Sequence, residues 1–268
     1  DCCDWYCVKC DRKTHRITSL TIFADDRLTG QIPPDVGDLP FLETLILHKL
    51  PNLTGPIQPT IAKLHNLKFL DLSWNSLSGP IPDFLSSLSN LFVLKLSFNS
   101  LTGAIPSSLS QLPNLGGLEL DRNKLSGQIP DSFGYFPGEQ APSLYLSHNQ
   151  LSGRTPSSLS RLNFTSIDLT RNKLEGDAFM LFGANKTVQI VDLSRNLLEF
   201  NLSEVVFPQS LTSLDVNHNK VFGGLPPEMT KLNFQYLNVS YNRLCGEIPV
   251  GGELQKFDVY SYFHNKCL

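Results

Sequence analysis

The stretch "LKLSFNSLTGAIPSSLSQLPNL", Leu94 to Leu115, decides how this chain folds. Twenty-four residues earlier stands "LDLSWNSLSGPIPDFLSSLSNL" from Leu70, and twenty-four later "LELDRNKLSGQIPDSFGYF" from Leu118. The repeated letters form a ladder at Asn75, Asn99, Asn123, Asn149, Asn172, Asn196, Asn219 and Asn242, with steps of 24, 24, 26, 23, 24, 23 and 23 residues. Around each Asn the chain reads Leu-x-Leu-x-x-Asn-x-Leu, usually continued as Ser/Thr-Gly-x-Ile-Pro. Two looser copies precede it, "LTIFADDRLTGQIP" from Leu20 and "LILHKLPNLTGPI" from Leu45. That makes ten coils, numbered here one to ten, from about Ile17 to Pro249.

The spacing carries its own physics. Leu94 and Leu96 are two apart, so they face one side of a short strand, and Lys95 between them faces out. Leu101, Ile105, Leu109 and Leu112 return inward at the corners of the coil. A single coil cannot bury that face alone, so coils stack into one continuous core. The ladder Asn both donates and accepts, and it can satisfy backbone groups of neighbouring coils. Gly103 permits a tight backbone approach, and Pro106 stiffens the turn leaving it. These features resemble leucine-rich repeats of the plant-specific class. The resemblance implies an α/β solenoid: a right-handed superhelix with a parallel sheet on the concave side, and a second sheet and 3₁₀ turns on the convex side. Coil six gains residues at "YFPGEQAPSL", coil seven ("LEGDAFMLFG") lacks Ile-Pro, and coil eight ("LLEFNLSEVVF") lacks Gly and Pro. The second sheet is expected to be interrupted there.

Composition narrows the classes. The 268 residues carry a net charge of −3 and a pI of about 6.1, which offers no basic excess for nucleic acid. No apolar run approaches the roughly 20 residues of a membrane helix, and "DCCDWYCVKCD" is no signal peptide. A mature or trimmed soluble protein is expected. Six cysteines stand only at the ends: Cys2, Cys3, Cys7 and Cys10, then Cys245 and Cys267. This favours disulfide-stapled caps in an oxidising compartment over a zinc site, because the first four lack paired CxxC knuckles. Sequons at Asn52, Asn163, Asn185, Asn201 and Asn238 agree with a secretory route.

The varying letters describe the surface. The outward position between the two apolar residues reads Thr21, Ile46, Asp71, Lys95, Glu119, Tyr145, Asp168, Asp192, Asp215, Asn238. The position before the ladder Asn reads Trp74, Phe98, Arg122, His148, Arg171, Arg195, His218, Tyr241. An acidic stripe therefore runs beside a stripe of cations and rings, about 10 Å away along each strand. Asp168 with Arg171, and Asp192 with Arg195, are expected to pair in part. Exposed rings beside Arg suit protein recognition. Catalysis is not expected: acids repeating in equivalent places lack the unlike environments of a glycosidase pair. No GxSxG, HExxH or P-loop motif is present, and neither a metal site nor a cofactor is indicated.

The termini are more specific. "DCCDWYCVKCD", "LTRNKLEGDAFMLFG" and "NVSYNRLCGEIPVGGELQKFDVYSYFHNKCL" resemble plant polygalacturonase-inhibiting proteins, notably those of rose-family fruit trees, across the whole chain. The resemblance implies a secreted, monomeric defence protein of the cell wall or apoplast. Such a protein binds fungal, and in some cases insect, endo-polygalacturonases on its concave face and slows pectin degradation. The implied enzyme contacts are Lys95, Gly116, Asp121, Ser143, Asp168 and Gln189, joined by Asp192, Trp74 and Tyr145 from the exposed columns. Lys95 reverses the acid that relatives often place there. Pectin or oligogalacturonides would bind at Arg122, His148, Arg171, Arg195, Asn217 and His218. The family also implies disulfides Cys3–Cys10 and Cys245–Cys267. Cys2 would then lack its upstream partner, and Cys7 would be an extra thiol. Residues 1–16 would be the remnant of an amino-terminal cap, 17–249 the ten repeats, and 250–268 part of a carboxy-terminal cap. The alternatives are a receptor ectodomain of the same repeat class and an ice-binding relative, whose face should be flat, regular and uncharged.

Overall fold

A computed structural model describes residues 2–138 and 141–268. Glu139 and Gln140, inside the coil-six insertion, lie outside the described residues. Contacts divide the chain into two compact units, Asp1–Ser126 with Phe136–Pro142, and Gly127–Tyr135 with Ser143–Leu268.

In the first unit, the strands Ile17–Phe23, Thr44–His48, Phe69–Asp71, Val93–Lys95 and Gly117–Glu119 pair in parallel, one per coil. Val8–Cys10 adds an antiparallel edge against the first of them. In the second unit, Ser143–Tyr145, Ser166–Asp168, Ile190–Asp192, Ser213–Asp215 and Tyr236–Asn238 repeat the parallel arrangement. The register is one coil per step, so equivalent residues stack: Asp168 opposite Asp192, and Asp192 opposite Asp215. Both units are leucine-rich-repeat solenoids. The return path of each coil is a short 3₁₀ turn, and several of these, such as Ser107–Gln111 and Ser157–Arg161, are entered through a proline in extended conformation. That proline sets the backbone angle the turn needs and gives up an amide the turn would not use.

The core follows from the pattern. Leu94, Leu96, Leu101 and Leu109 are fully buried, and Ile105 and Leu112 nearly so. Each such side chain contributes about 1.5–3 kcal/mol of gross hydrophobic stabilisation. Successive 3₁₀ turns pack without room for a side chain. A Cβ on Gly134 would stand 2.4 Å from the Ser158 carbonyl oxygen.

The ladder Asn residues do what their dual character suggested. In the second unit, Asn172 Nδ2 donates to the carbonyls of Leu146 (3.0 Å) and Leu169 (3.1 Å), while its Oδ1 accepts from Leu151 N–H (2.9 Å). Asn123 repeats this in the first unit with Leu96, Leu120 and Leu101. The ladder has one more rung than the sequence reading found. Asn265 donates to Val239 O (3.1 Å) and Tyr262 O (2.7 Å) and accepts from Leu244 N–H (3.0 Å). It stands 23 residues after Asn242, and that step was the available signal. Tyr262 replaces the usual leucine, buried with its hydroxyl on Leu254 O (2.6 Å), which hid the motif.

The second sheet breaks later than expected. Lys173–Gly176 of coil seven pairs with both Gln150–Arg154 and Leu197–Leu198. Beyond Leu198, among the described residues, only an isolated bridge, Asn201 to Phe222, continues the line, and Phe222–Gly223 pairs separately with Arg243–Leu244. Strand pairing uses backbone groups, so coil seven keeps its strand without Ile-Pro. Coil eight, with neither Gly nor Pro, is where the strand shortens.

At the termini, disulfides join Cys3 to Cys10 and Cys245 to Cys267. Cys2 and Cys7 are outside both bridges. Among the described residues, no helix is long and apolar enough to cross a membrane.

Candidate binding face

The residue before each ladder Asn has an unusual backbone. Trp74, Phe98, Arg122, His148, Arg171, Arg195, His218, Tyr241 and His264 all have φ between 52° and 59°. This left-handed conformation costs an ordinary side chain about 1–2 kcal/mol. It is forced because the next residue, Asn, must turn inward. Part of the cost is offset by backbone bonds to the next coil, such as Trp74 N–H to Ser97 O (2.9 Å) and Arg171 N–H to Ser194 O (2.9 Å). In each unit the turn aligns these residues along the edge of its sheet.

In the first unit, the stripe is a stack of rings. Trp74 and Phe98 lie face to face, 3.6 Å apart at 13°. The Arg122 guanidinium sits 4.9 Å from the Phe98 ring centre. Phe69 and Phe92 form a second exposed pair, edge to face at 6.2 Å. The sequence reading passed over this pair, although an apolar residue at an outward strand position was the cue. Phe92 lies against Gly116, where a Cβ would approach its ring to 2.7 Å. Between the rings the lane alternates in sign: Lys95 stands between Asp71 and Glu119 and bonds Glu119 at 2.9 Å. The reversal at Lys95 is thus locally neutralised. Asp121 accepts a hydrogen bond from the Ser97 hydroxyl.

One cluster here has the composition of a hydrolase triad. The Ser73 hydroxyl donates to Asp71 at 2.5 Å, and His48 Nδ1 lies 2.9 Å from the same oxygen. Ser73 is buried. The geometry is structural: the acid, not the histidine, takes the hydroxyl proton's bond.

In the second unit, the lane runs Tyr145, Asp168, Asp192, Asp215, Asn238 in register. The expected Asp168–Arg171 and Asp192–Arg195 ion pairs do not form among the described residues. The carboxylates instead close local turns. Asp168 accepts from Thr170 N–H (3.0 Å), Asp192 from Ser194 N–H (2.9 Å) and Asp215 from Asn217 N–H (2.9 Å). Arg171 and Arg195, in the left-handed stripe, remain exposed. The remaining residues singled out from sequence, Ser143 (half-buried) and Gln189 (exposed), sit at the entry to their strands.

A polar chain lies behind this stripe. Tyr236 hydroxyl donates to Asp215 Oδ2 (3.0 Å), Asn217 Nδ2 to Asp215 Oδ1 (2.7 Å), and His218 Nδ1 lies 2.7 Å from Asn217 Oδ1. Burial raises the Asp215 carboxyl to about 6, with the Asp192 charge adding and the Asn217 bonds opposing. Burial lowers His218, as do Arg195, Arg171 and His264.

A Leucine Rich Repeat family model matches residues 66–88, 90–112, 114–136, 143–162, 210–232 and 233–252. The polygalacturonase inhibitor of Pyrus communis is 72% identical over 268 residues, all of this chain and 81% of the relative. The chain belongs to the polygalacturonase inhibitor family. The inhibitor of Vitis vinifera is 66% identical over all of this chain and 80% of its own length. Among solved structures, a plant ice-binding protein superposes with a TM-score of 0.98 at 53% identity, covering all of this chain and 86% of that one.

The sequons fall in different settings. Asn52, Asn163 and Asn185 are exposed. Asn201 caps the turn Leu202–Glu204. Asn238 lies in a strand, and its Oδ1 accepts from Ser240 N–H and Oγ.

Proposed function

We propose that this chain works outside the cell as a single-chain inhibitor that grips fungal, and in some cases insect, endo-polygalacturonases with its sheet face and slows pectin breakdown. It acts by binding rather than by catalysis. The observation that carries this reading is the match to the pear inhibitor across all of this chain. The face supports it: stacked Trp74 and Phe98, exposed Phe69 and Phe92, and half-buried Asp121 and Asp168 give rings beside fixed charge. Lys95, Gly116, Ser143, Tyr145, Gln189 and Asp192 complete the proposed contact set. The stripe His148, Arg171, Arg195, Asn217 and His218, with Arg122, is proposed to hold pectin through its carboxylates, for which exposed Arg is geometrically suited.

The test is reducing-end release by a panel of purified polygalacturonases with and without the protein. Asp121→Lys and Asp168→Lys are each expected to weaken inhibition about tenfold or more through charge reversal. Arg171→Gln combined with Arg195→Gln is expected to reduce retention on polygalacturonate and leave inhibition within about twofold. Full activity of every enzyme in the panel would refute the reading. The ice-binding neighbour supports a second one, since it shares the frame so closely. The charged, irregular sheet face disfavours it, and a thermal-hysteresis measurement on the purified protein separates the two.

A further inference from the structure

The cation stripe of the second unit does not end at the residues assigned above. His218 and Tyr241 stack at 4.0 Å and 20°, and Tyr241 and His264 at 4.4 Å and 30°. Phe263 braces the far end, 5.1 Å from Tyr241 and 4.3 Å from His264. The three stripe residues share the left-handed backbone of Arg171 and Arg195. They are tied coil to coil by His218 N–H to Ser240 O and Tyr241 N–H to Phe263 O. Rings stacked along the coil direction cover their faces and turn their edges outward, and an aromatic edge is the positive side of the ring. On these edges stand His218 Nε2, the Tyr241 hydroxyl and the His264 ring nitrogens. None of them has a hydrogen-bond partner among the described residues.

The neighbours set the sign. Arg171 and Arg195 lie on the coils before His218, and Tyr241 and His264 follow it. Asp215, with Tyr236 behind it, reaches His218 only through the Asn217 amide. Asn217 gives its Nδ2 hydrogen to Asp215, so its Oδ1 faces His218, and Nδ1 must carry the hydrogen there. Neutral His218 therefore keeps its lone pair on Nε2. A proton arriving at the ring adds at Nε2 and turns that edge into a cationic donor.

We infer that the edge formed by His218, Tyr241 and His264 is a further subsite for a carboxylate-bearing polysaccharide, continuous with Arg171 and Arg195, and that its occupation adds a proton at His218 Nε2. This rests on the pectin-binding reading above and extends it by two coils. A chain with one carboxylate per sugar has a repeat comparable with the ~4.8 Å between strands, so successive sugars meet successive stripe residues.

The test is calorimetry of the intact protein with sodium oligogalacturonates of two lengths, in two buffers of different ionisation enthalpy, at about pH 6. Short oligomers report on the Arg171–Arg195 segment, and long ones also span the rings. Tyr241→Phe with His264→Ala keeps the central ring and alters only an exposed neighbour, and it is expected to weaken long-oligomer binding roughly tenfold, the loss of about one charge-assisted hydrogen bond. Short-oligomer binding should stay within about twofold. Proton uptake of about half a proton or more is expected with the long oligomer in an Asp215→Asn background, which removes the neighbouring carboxyl, and adding His218→Gln should remove most of it. Equal long-oligomer affinity in the wild type and the double variant would end the track at Arg195 and overturn the inference. Absence of proton uptake would overturn the His218 role. If the wild type binds neither oligomer, the pectin reading itself falls, and the inference with it. If binding survives but responds only to Arg171→Gln and Arg195→Gln, the inference alone fails.

Discussion

Asn172→Ala is expected to destabilise the protein by about 4 kcal/mol, measured as the shift in urea unfolding free energy at pH 6. The side chain is 9% exposed, and one amide serves three buried backbone groups. Removing it strands Leu151 N–H and the carbonyls of Leu146 and Leu169, each losing a bond of 2.9 to 3.1 Å. An unsatisfied buried group costs about 1–3 kcal/mol, and a methyl supplies neither donor nor acceptor. Asn172→Asp should be no milder. It restores the acceptor for Leu151 but sets acceptor against acceptor at both carbonyls, in a place where charge is costly. Asn114→Ala is the control. Asn114 also donates to the previous coil, to Ser89 O at 2.9 Å, but it is exposed, and water replaces the lost partner. Its cost should stay near 1 kcal/mol or less. Equal shifts for Asn172→Ala and Asn114→Ala would show that the inner ladder is not what holds adjacent coils together.

That contrast also explains what was readable in the sequence. The inner ladder and the leucine core repeat because every coil meets the same neighbours, so period alone placed Leu94, Leu96 and Asn99. The stripe was legible in composition but not in conformation. Trp, Phe and Arg have no preference for φ near 55°, and only the inward turn of the next Asn imposes it. For the same reason the Asp168–Arg171 pairing failed. Strand spacing put acid and base on one face, whereas the left-handed turn sends the arginine out and the carboxylate bonds the amide two residues on. Asn265 was missed because Tyr260-Ser261-Tyr262 takes the place of Leu-x-Leu in its coil. The enzyme contacts Lys95, Gly116, Asp121, Ser143, Asp168 and Gln189 came from family resemblance, whereas Trp74, Tyr145, Asp192 and the cation stripe stood out in the varying columns. Repetition shows which letters are free to vary, but no periodic rule says which varied letters meet a partner.

The largest pH effect is expected at Asp215. Its carboxyl, 6% exposed and stacked above Asp192, titrates at about 6 in the folded chain against 3.8 when solvated. A raised carboxyl holds its proton more tightly in the fold than in the unfolded chain. Its favourable contribution is therefore complete below about pH 4 and is lost as pH rises through about 6. The difference corresponds to about 3 kcal/mol. Asp215→Asn keeps an acceptor for the Asn217 amide and lets the Tyr236 hydroxyl rotate to accept from the new amide, but it carries no charge. The variant should match the wild type at pH 4 and exceed it by about 3 kcal/mol at pH 7.5, read from urea unfolding at each pH. His218 works in the opposite direction. With its affinity for protons lowered, it costs stability as pH falls below about 6.5, so comparing the Asn variant with the wild type at each pH isolates the acid. A gap that does not grow between pH 4 and 7.5 would mean Asp215 is already ionised at low pH. The acidic lane would then carry the Asp215 charge already in mildly acidic solution. Loss of that charge in acid would remove a carboxylate from beside the Arg195–His218 edge proposed above to hold a polyanion. The same titration that stabilises the fold would thus favour occupation of the stripe.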